Sequence, residues 1–505
     1  MTDSRPTVMD RTTKQWEVMV LNSLLILFIN FAIFLSVPPQ TKIFEDIICR
    51  KMNWDSALHL DPVEDGRCRG ALVQSELARI NGWKTTFEAL PSILLSVAYG
   101  TLADRVGRKP CLQLCTLGML LSEVWTRVVC VWSDVFPLRL VWLSGLLRSI
   151  GGGEPVIDSI MCVMVMDVFE ERDRSVFINT SLPYGDLIPK SVPLLTLFFF
   201  SAVALLRLHS VFIVAKLLAV PASAALVALS SPWTPFLLSI GMISVAQALS
   251  FLLPETLGYA EPRESDDNNT RKRITQEKGN FVQRFAQCTR FIVQNRNMVP
   301  IIVVNLAASI TKSSSYFLLQ YSSTKYGWSY SLASLVLMIR EGSSLITYLI
   351  LMPAASTFIR RISRDSVTAQ AKQLCQASGL FNVFGYFSIA TAGSPVLYML
   401  ALAFLSLGSG FDTAMSSFAT SLVQPDQIAS LHSVAATAKS IGGLVAGPLF
   451  ARLMQIGFEL GSGWLSMPYI AAGLFFITVL LAVTSIRIQD RNLDEAERPL
   501  LESDV

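Results

Sequence analysis

Charge is what this chain of 505 residues has little of. Asp, Glu, Lys and Arg make up 16% of it, where soluble globular chains carry about 25%. A soluble protein of this length, several domains with charged surfaces between them, is therefore excluded. Histidine is almost absent: His59, His209 and His432 are far apart, and no i, i+4 pair offers the ligand set of a membrane metalloprotease. The eight cysteines are scattered singly, with no spacing that makes a metal site. No glycine-rich phosphate loop supports a nucleotide-driven pump. No nucleophile is arranged beside a base, so no enzyme, cofactor or metal is expected, and no nucleic-acid partner.

What is abundant is apolar sequence: 52% hydrophobic residues and a mean hydropathy of +0.48. It comes in blocks of roughly 20 residues, the length that crosses a hydrocarbon core of about 30 Å. The blocks fall near 18–37, 86–102, 110–132, 138–166, 233–254, 298–321, 328–353, 373–392, 396–421, 429–454 and 465–486. The first follows a tail with Arg5, Arg11 and Lys14 and no small-residue cleavage site, so it is expected to be a retained helix.

Cations in short loops set the orientation. Arg105, Arg108 and Lys109 follow the second block, and Arg172 and Arg174 the fourth. Eight Lys and Arg residues fall within 259–297, and Arg360, Arg361 and Arg364 follow the block ending at 353. All lie on the cytoplasmic side if an odd number of crossings, one being simplest, separates Arg174 from Trp233. Region 175–231 is longer than the roughly 30 residues that one span and its loops need. It holds two apolar runs, Val192–Leu206 and Val211–Leu229. The second, with Pro221, is expected to cross; 179–206 is expected to be an insertion, or a retained intron in the gene. The expected organisation is a cytoplasmic tail 1–17, a first half 18–258, a basic linker 259–297, a second half 298–488 and a cytoplasmic tail 489–505. The fold class is thus an all-α polytopic membrane protein of twelve transmembrane helices in two six-helix halves, as in transporters built from two parallel repeats.

The stretch GTLADRVGRK, Gly100–Lys109, joins spans two and three on the inner face. Gly100 and Gly107 permit tight turning, Asp104 suits a neighbouring helix N-terminus, and Arg105, Arg108 and Lys109 suit the phosphate surface. A plain solvated turn has the same composition. In this position the stretch resembles the loop signature of the major facilitator superfamily. Asp167 to Arg174 resembles that family's acid–arginine element after span four. Pro254-Glu255-Thr256 closes span six as is common there. Ala446-Gly447-Pro448 resembles its span-eleven packing element, with Ala219-Val220-Pro221 as the repeat counterpart. The resemblance covers nearly the whole chain except 179–206 and is nearest to fungal drug or metabolite exporters. It implies the major facilitator fold, two pseudo-symmetric bundles. It also implies a conformational latch between the halves, made of Gly100, Asp104, Arg105, Gly107, Arg108, Asp167 and Arg174, in which Asp104 caps span eleven and Arg108 pairs with Asp167, holding the outward-facing state.

Charges inside a bilayer cost about 2.5–3.5 kcal/mol each on insertion scales, so each needs a reason. Arg148 and Glu123 lie near mid-depth, about 5 Å apart in height by helix rise, and can pair; Glu123 is equally an i, i+4 partner of Arg127. Arg148 with Gly151-Gly152-Gly153 also resembles the family's span-four arginine element, tied there to proton coupling. Because spans one, four, seven and ten line the cavity in that family, Asn22, Asn30, Arg148, Lys312 and Asp412 are implied to face solute or proton. Arg340, Glu341 and Lys439 sit mid-depth on spans eight and eleven, with helix pairing as the alternative role. Glu154 and Asp158 are nearer the inner end and can serve the latch. Several cations with few clear acid partners point to an anionic or carbonyl-rich solute. The run KLLAVPASAALVALSS lacks the glycines of a proton-antiporter span five, which weighs against antiport.

Cys49 and Cys68 share the first outer loop; they are either free thiols or a disulfide worth roughly 3 kcal/mol. The near-dileucine tail Glu497–Leu501 leaves a vacuolar membrane open beside the plasma membrane. The expected activity is alternating-access transport of a small organic solute by a monomer, coupled to protons. Export of a drug-like compound or secondary metabolite leads. Proton-coupled uptake of an organic anion or nutrient, and a non-transporting sensor or defective paralogue, are the rivals.

Overall fold

The computed structural model describes residues 8–53, 67–168, 204–257, 297–362, 367–423 and 428–486. Among these residues there is no strand, and the helices form twelve rods. The N-terminal half comprises α1 (Val8–Asn53), α2 (Ala71–Val106), α3 (Arg108–Val131), α4 (residues 138–168), α5 (Ala204–Leu229) and α6 (Trp233–Leu252). The C-terminal half comprises α7 (residues 298–326), α8 (residues 330–362), α9 (Val367–Thr391), α10 (residues 395–421), α11 (Ile428–Leu460) and α12 (Met467–Ser485). Seven described helices are long and apolar enough to cross a membrane, and α2 makes an eighth when its two segments, bent by 54°, count as one.

The remaining rods carry the interruptions and charges. In α4 the short helix Ser144–Arg148 is separated from Glu154–Val168 by glycines, with positive φ at Gly152 and Gly153. In α8 a π turn, Thr347–Leu351, joins two helical segments. Where α8 and α10 begin, Ser329 and Ser394 accept hydrogen bonds from Leu332 and Leu397 N–H, satisfying donors that a helix start leaves bare.

Several boundaries differ from the sequence-based expectation. Rod α1 does not stop at 37; it continues through Pro38 and Pro39 to Asn53. A proline inside a helix removes the donor for the carbonyl four residues earlier. The carbonyl that Pro39 frees, that of Leu35, accepts the Ser223 hydroxyl of α5 at 2.7 Å, as a neighbouring helix can do within a membrane protein. Rod α2 begins at Ala71, not 86, and runs through Gly100 to Val106, so the turn into α3 is Gly107 alone. Ala204–Leu206, assigned above to the insertion, belong to the first turn of α5. Residues 8–17, assigned above to the N-terminal tail, are the first turns of α1, and the rest of 179–206, Arg174, the linker to residue 296, residues 1–7 and the C-terminal tail lie outside the described residues.

The halves meet along two pseudo-symmetric seams, α2 on α11 and α5 on α8. At the first, Gly82 and Gly447 bring two backbones together: a Cβ on Gly82 would lie 2.6 Å from the Gly447 carbonyl oxygen and from Ala451 Cβ. Pro448 frees the Leu444 carbonyl, and Thr86 of α2 donates its hydroxyl to it at 3.3 Å. The resemblance-based packing element in span eleven thus does two jobs, glycine for approach and proline for a cross-half acceptor. One apolar core fills the C-terminal half around Tyr321, Tyr398 and Tyr469. A second lies in the N-terminal half around Leu25, Leu112 and Met164. A third, around Phe44, Leu77 and Tyr330, joins the halves at the outer end.

Candidate functional site

Arg148 ends the short helix just before the break in α4, which places its guanidinium between α2 and α3. Its Nη2 donates to Glu123 Oε1 at 3.1 Å and lies 3.4 Å from Glu88 Oε1, while its Nε donates to Ser122 Oγ at 3.2 Å. Glu88 also holds Lys84, one turn earlier on α2, at 2.8 Å and accepts the Ser144 hydroxyl. The other Glu123 oxygen pairs with Arg127, whose remaining nitrogens donate to Ser239 Oγ at 2.6 Å and to the Phe236 carbonyl at 3.2 Å. The two readings of Glu123 are therefore not alternatives: one oxygen serves its own helix, and the other reaches α4. Three cations and two carboxylates are directly paired in a nearly dry site, and a third carboxylate, Glu154, lies within electrostatic reach of Arg148. Such pairing is the condition under which buried ions are tolerated. Sequence reasoning missed Lys84 and Glu88. Their i, i+4 spacing was the available signal, lost by starting the second span at 86.

In the C-terminal half, Lys312 of α7 lies 3.5 Å and Lys439 of α11 lies 4.0 Å from opposite oxygens of Asp412 on α10. Glu341 of α8 instead reaches across the seam to Lys216 of α5 at 2.8 Å, a residue sequence reasoning did not select. Lys216 also rests 4.9 Å from the centre of the Phe34 ring of α1. Arg340, the neighbour of Glu341, sits within electrostatic reach of Tyr386, Tyr398 and Tyr469. The two α1 asparagines stand apart from these clusters. Asn30 donates to its own helix at the Ile26 carbonyl, and the Asn22 carboxamide is wholly buried with neither atom hydrogen-bonded.

The inner-face stretch is a clamp within the N-terminal half. Arg108 pairs with Asp104 and, at 3.3 Å, with Asp167, and Thr256 donates to the same Asp167 oxygen. The expected pairing of Arg108 with Asp167 is present, but it ties α3 to α4, and both belong to one half. Asp104, expected to cap α11, is bound to Arg108 here. Arg105 is exposed, and a Cβ on Gly100 would meet open space. Gly107 is different: its φ of +123° is costly for any residue with a Cβ, and a Cβ there would strike the Glu255 carboxylate. Glu255 accepts backbone N–H bonds from Arg108, Lys109, Thr256 and Leu257 at 2.9–3.1 Å. An acid at the start of α3 also suits the helix dipole. Burial pushes the Glu255 carboxyl up, but the four N–H donors outweigh it and hold it below the usual carboxylate range. Its contribution to the clamp is complete above the ordinary carboxylate pKa and is lost as pH falls through the lower folded value. Gly107→Ala should lower the melting temperature through a strain of about 1–3 kcal/mol. Glu255→Gln should make melting less sensitive to acid. Unchanged melting curves for both would remove the clamp.

At the end of the bundle that carries Cys49 and Cys68, the halves are closed over a polar cluster whose α1 and α2 members the sequence reading placed in a loop. Glu45, 2% exposed on α1, pairs with Lys42 and accepts from Gln74 of α2 and, at 3.1 Å, from Tyr330 of α8. Gln320 of α7 donates to the Gln74 carbonyl and side chain at 2.7 and 3.0 Å. Arg69 donates to the Gly327 carbonyl at 2.7 Å. Cys49 and Cys68 are joined as a disulfide with a Cα separation of 5.3 Å, fastening the ends of α1 and α2 that carry this cluster. Replacing both cysteines with serine should cost about 3 kcal/mol of stability and loosen the outer closure. A melting temperature insensitive to both reductant and substitution would contradict that role.

No family model matches the chain. Whole-chain relatives do. It is 70% identical over 505 residues, all of both chains, to the MFS-type transporter avaK of Aspergillus versicolor. It is 30% identical over 449 residues, 86% of this chain and 81% of the relative, to the MFS efflux pump atnC of Emericella nidulans. It is 29% identical over 484 residues, 93% and 88% of the two chains, to the efflux pump ustT of Aspergillus flavus. Among solved structures, the nucleoside transporter NupG superposes with a TM-score of 0.60 at 12% identity, covering 94% of this chain and 98% of that one. The inward-open xylose transporter XylE from E. coli superposes with a TM-score of 0.56 at 12% identity, covering 95% and 97%. The structures speak for the fold of twelve spans in two bundles, the relatives for kinship and for a transporter rather than an enzyme; the chain belongs to the major facilitator superfamily.

Proposed function

We propose that the protein exports a drug-like compound or secondary metabolite by alternating access between its two halves, driven by a proton gradient. Two relatives are named efflux pumps. The observation that carries the coupling is the Arg148 site: one guanidinium at the break in α4 shared between carboxylates on α2 and α3. Protonation of Glu88 or Glu123 weakens its hold on Arg148, and the broken rod lets that side chain move without unfolding a helix. The carrier acts as a monomer, in the plasma membrane or, on its tail motif, the vacuolar membrane. Its halves are residues 18–258 and 298–488.

The experiment begins with extracts of a deletion strain compared with its parent, to find the compound the deletion retains. Uptake of that compound is then measured in everted and right-side-out vesicles carrying an imposed pH gradient. Export predicts gradient-driven accumulation in everted vesicles. Arg148→Ala should abolish it with the protein still folded and inserted, since Glu88 keeps Lys84 and Glu123 keeps Arg127. Unchanged flux in that variant would remove Arg148 from coupling, and accumulation only in right-side-out vesicles would favour uptake. Binding without flux in either orientation would favour a sensor.

A further inference from the structure

We infer that Lys312 and Lys439, bracketing Asp412, form a seat for the carboxylate of an organic-acid solute. This inference rests on the transport reading above and locates one chemical group of the cargo within it. The charge ratio is unequal, two ammonium groups to one carboxylate. Their separations, 3.5 and 4.0 Å, exceed the roughly 2.7–2.9 Å typical of charge-assisted bonds. The other mid-depth lysines are committed, Lys216 to Glu341 and Lys84 to Glu88, each at 2.8 Å. The trio is also wet: Lys312, Asp412 and Lys439 side chains are 76%, 42% and 40% exposed. Exposure to hydrocarbon at that depth would be costly, so this surface faces the aqueous interior between the halves.

Two independent features agree. Tyr316, one turn beyond Lys312, is exposed and within electrostatic reach of Glu88, Arg148 and Glu154, so this face of α7 looks across to the N-terminal half. A cleft lined by Asn305, Ser416, His432 and Lys439 opens directly beside the trio. The site is held from behind, where Ser309 donates to the Lys439 carbonyl at 2.6 Å and Ser416 to the Asp412 carbonyl at 2.9 Å. Tyr348, partly exposed and within reach of Asp412, offers a ring beside the charges. An aryl carboxylate satisfies this surface: its oxygens take the ammonium N–H groups that Asp412 holds loosely, and its ring lies by the tyrosine.

The test uses purified full-length protein at constant ionic strength, with benzoate, its neutral methyl ester and sulfate as probes of thermal unfolding. Benzoate should raise the melting temperature, and the ester and sulfate should not. The double variant Lys312→Met with Lys439→Met should bind benzoate at least about tenfold more weakly, the loss expected for a charged hydrogen bond. Asp412→Asn removes the competing carboxylate and should bind it several-fold more tightly, which decides the matter even if the double variant fails to fold. Equal protection by the ester or by sulfate, unchanged affinity in a folded double variant, or no gain in Asp412→Asn would each overturn the seat. Binding is read without flux, so the two readings fail separately. Intact benzoate binding in a protein that moves nothing would end the transport reading, and absent binding in an active transporter would end this one.

Discussion

Glu123→Ala should be the most damaging single truncation in the N-terminal half, worse than removing Arg148. Glu123 is the common anion of two guanidinium groups, and Arg127 is only 3% exposed. Deleting the carboxylate leaves Arg127 with a hydroxyl, backbone carbonyls and the Phe236 ring, none carrying a compensating charge. Breaking a buried pair from one side costs about 3–5 kcal/mol, a large share of the total stability of a domain. Arg148→Ala leaves both of its bonded carboxylates with a cation, Glu88 with Lys84 and Glu123 with Arg127, and takes from Glu154 only a cation within electrostatic reach. The expected result is aggregated or poorly recovered Glu123→Ala beside monodisperse Arg148→Ala on size-exclusion chromatography in detergent. Equal melting temperatures for the two would show that Glu123 is not the shared support.

Gly82→Ala should shift the carrier away from the outer-closed state while leaving each half folded. The added methyl would press on the Gly447 carbonyl and the Ala451 side chain at 2.6 Å. Backbone cannot yield as a side-chain tip can, and overpacking of this kind costs about 1–3 kcal/mol. Because the contact exists only where the halves meet, that cost falls on one conformation, a shift of about 5–150-fold in the ratio of states. A cysteine placed at Gln320, inside the outer closure, reports it through labelling by an impermeant maleimide. Faster labelling in the Gly82→Ala background with reduced flux is expected; identical labelling would mean that the seam tolerates a methyl.

Span number and the split into two halves were legible because they depend on block length and on where the charged loops fall, properties that a chain carries locally. The helix ends were not. Pro38-Pro39 followed by Lys42, Glu45 and Asp46 has every local mark of an exit from the membrane. The helix persists because Ser223, nearly two hundred residues later, takes up the Leu35 carbonyl, and because Lys42 pairs with Glu45 and Asp46 on its own helix. Pairings between helices were legible only where depth was enough to fix them, as for Arg148 with Glu123. Lys216 with Glu341 depends on how two rods are rotated about their axes, which spacing along one chain does not record. The inner stretch shows the same boundary. Arg108 with Asp167 was readable, but Glu255 emerges as its organiser only when the ends of α3 and α6 lie together.

The partners of Glu45 are divided unevenly between the halves, and that division sets what outward opening requires. Lys42 and Gln74 travel with it in the N-terminal bundle; Tyr330 alone belongs to the other. When the bundles part, the carboxylate gives up one neutral phenol and keeps its ammonium and amide, so Glu45 is not left bare. The one charged donor that crosses this closure, Arg69 on the Gly327 carbonyl, is exposed, so water can replace that carbonyl when the buried carboxylate and the phenol separate.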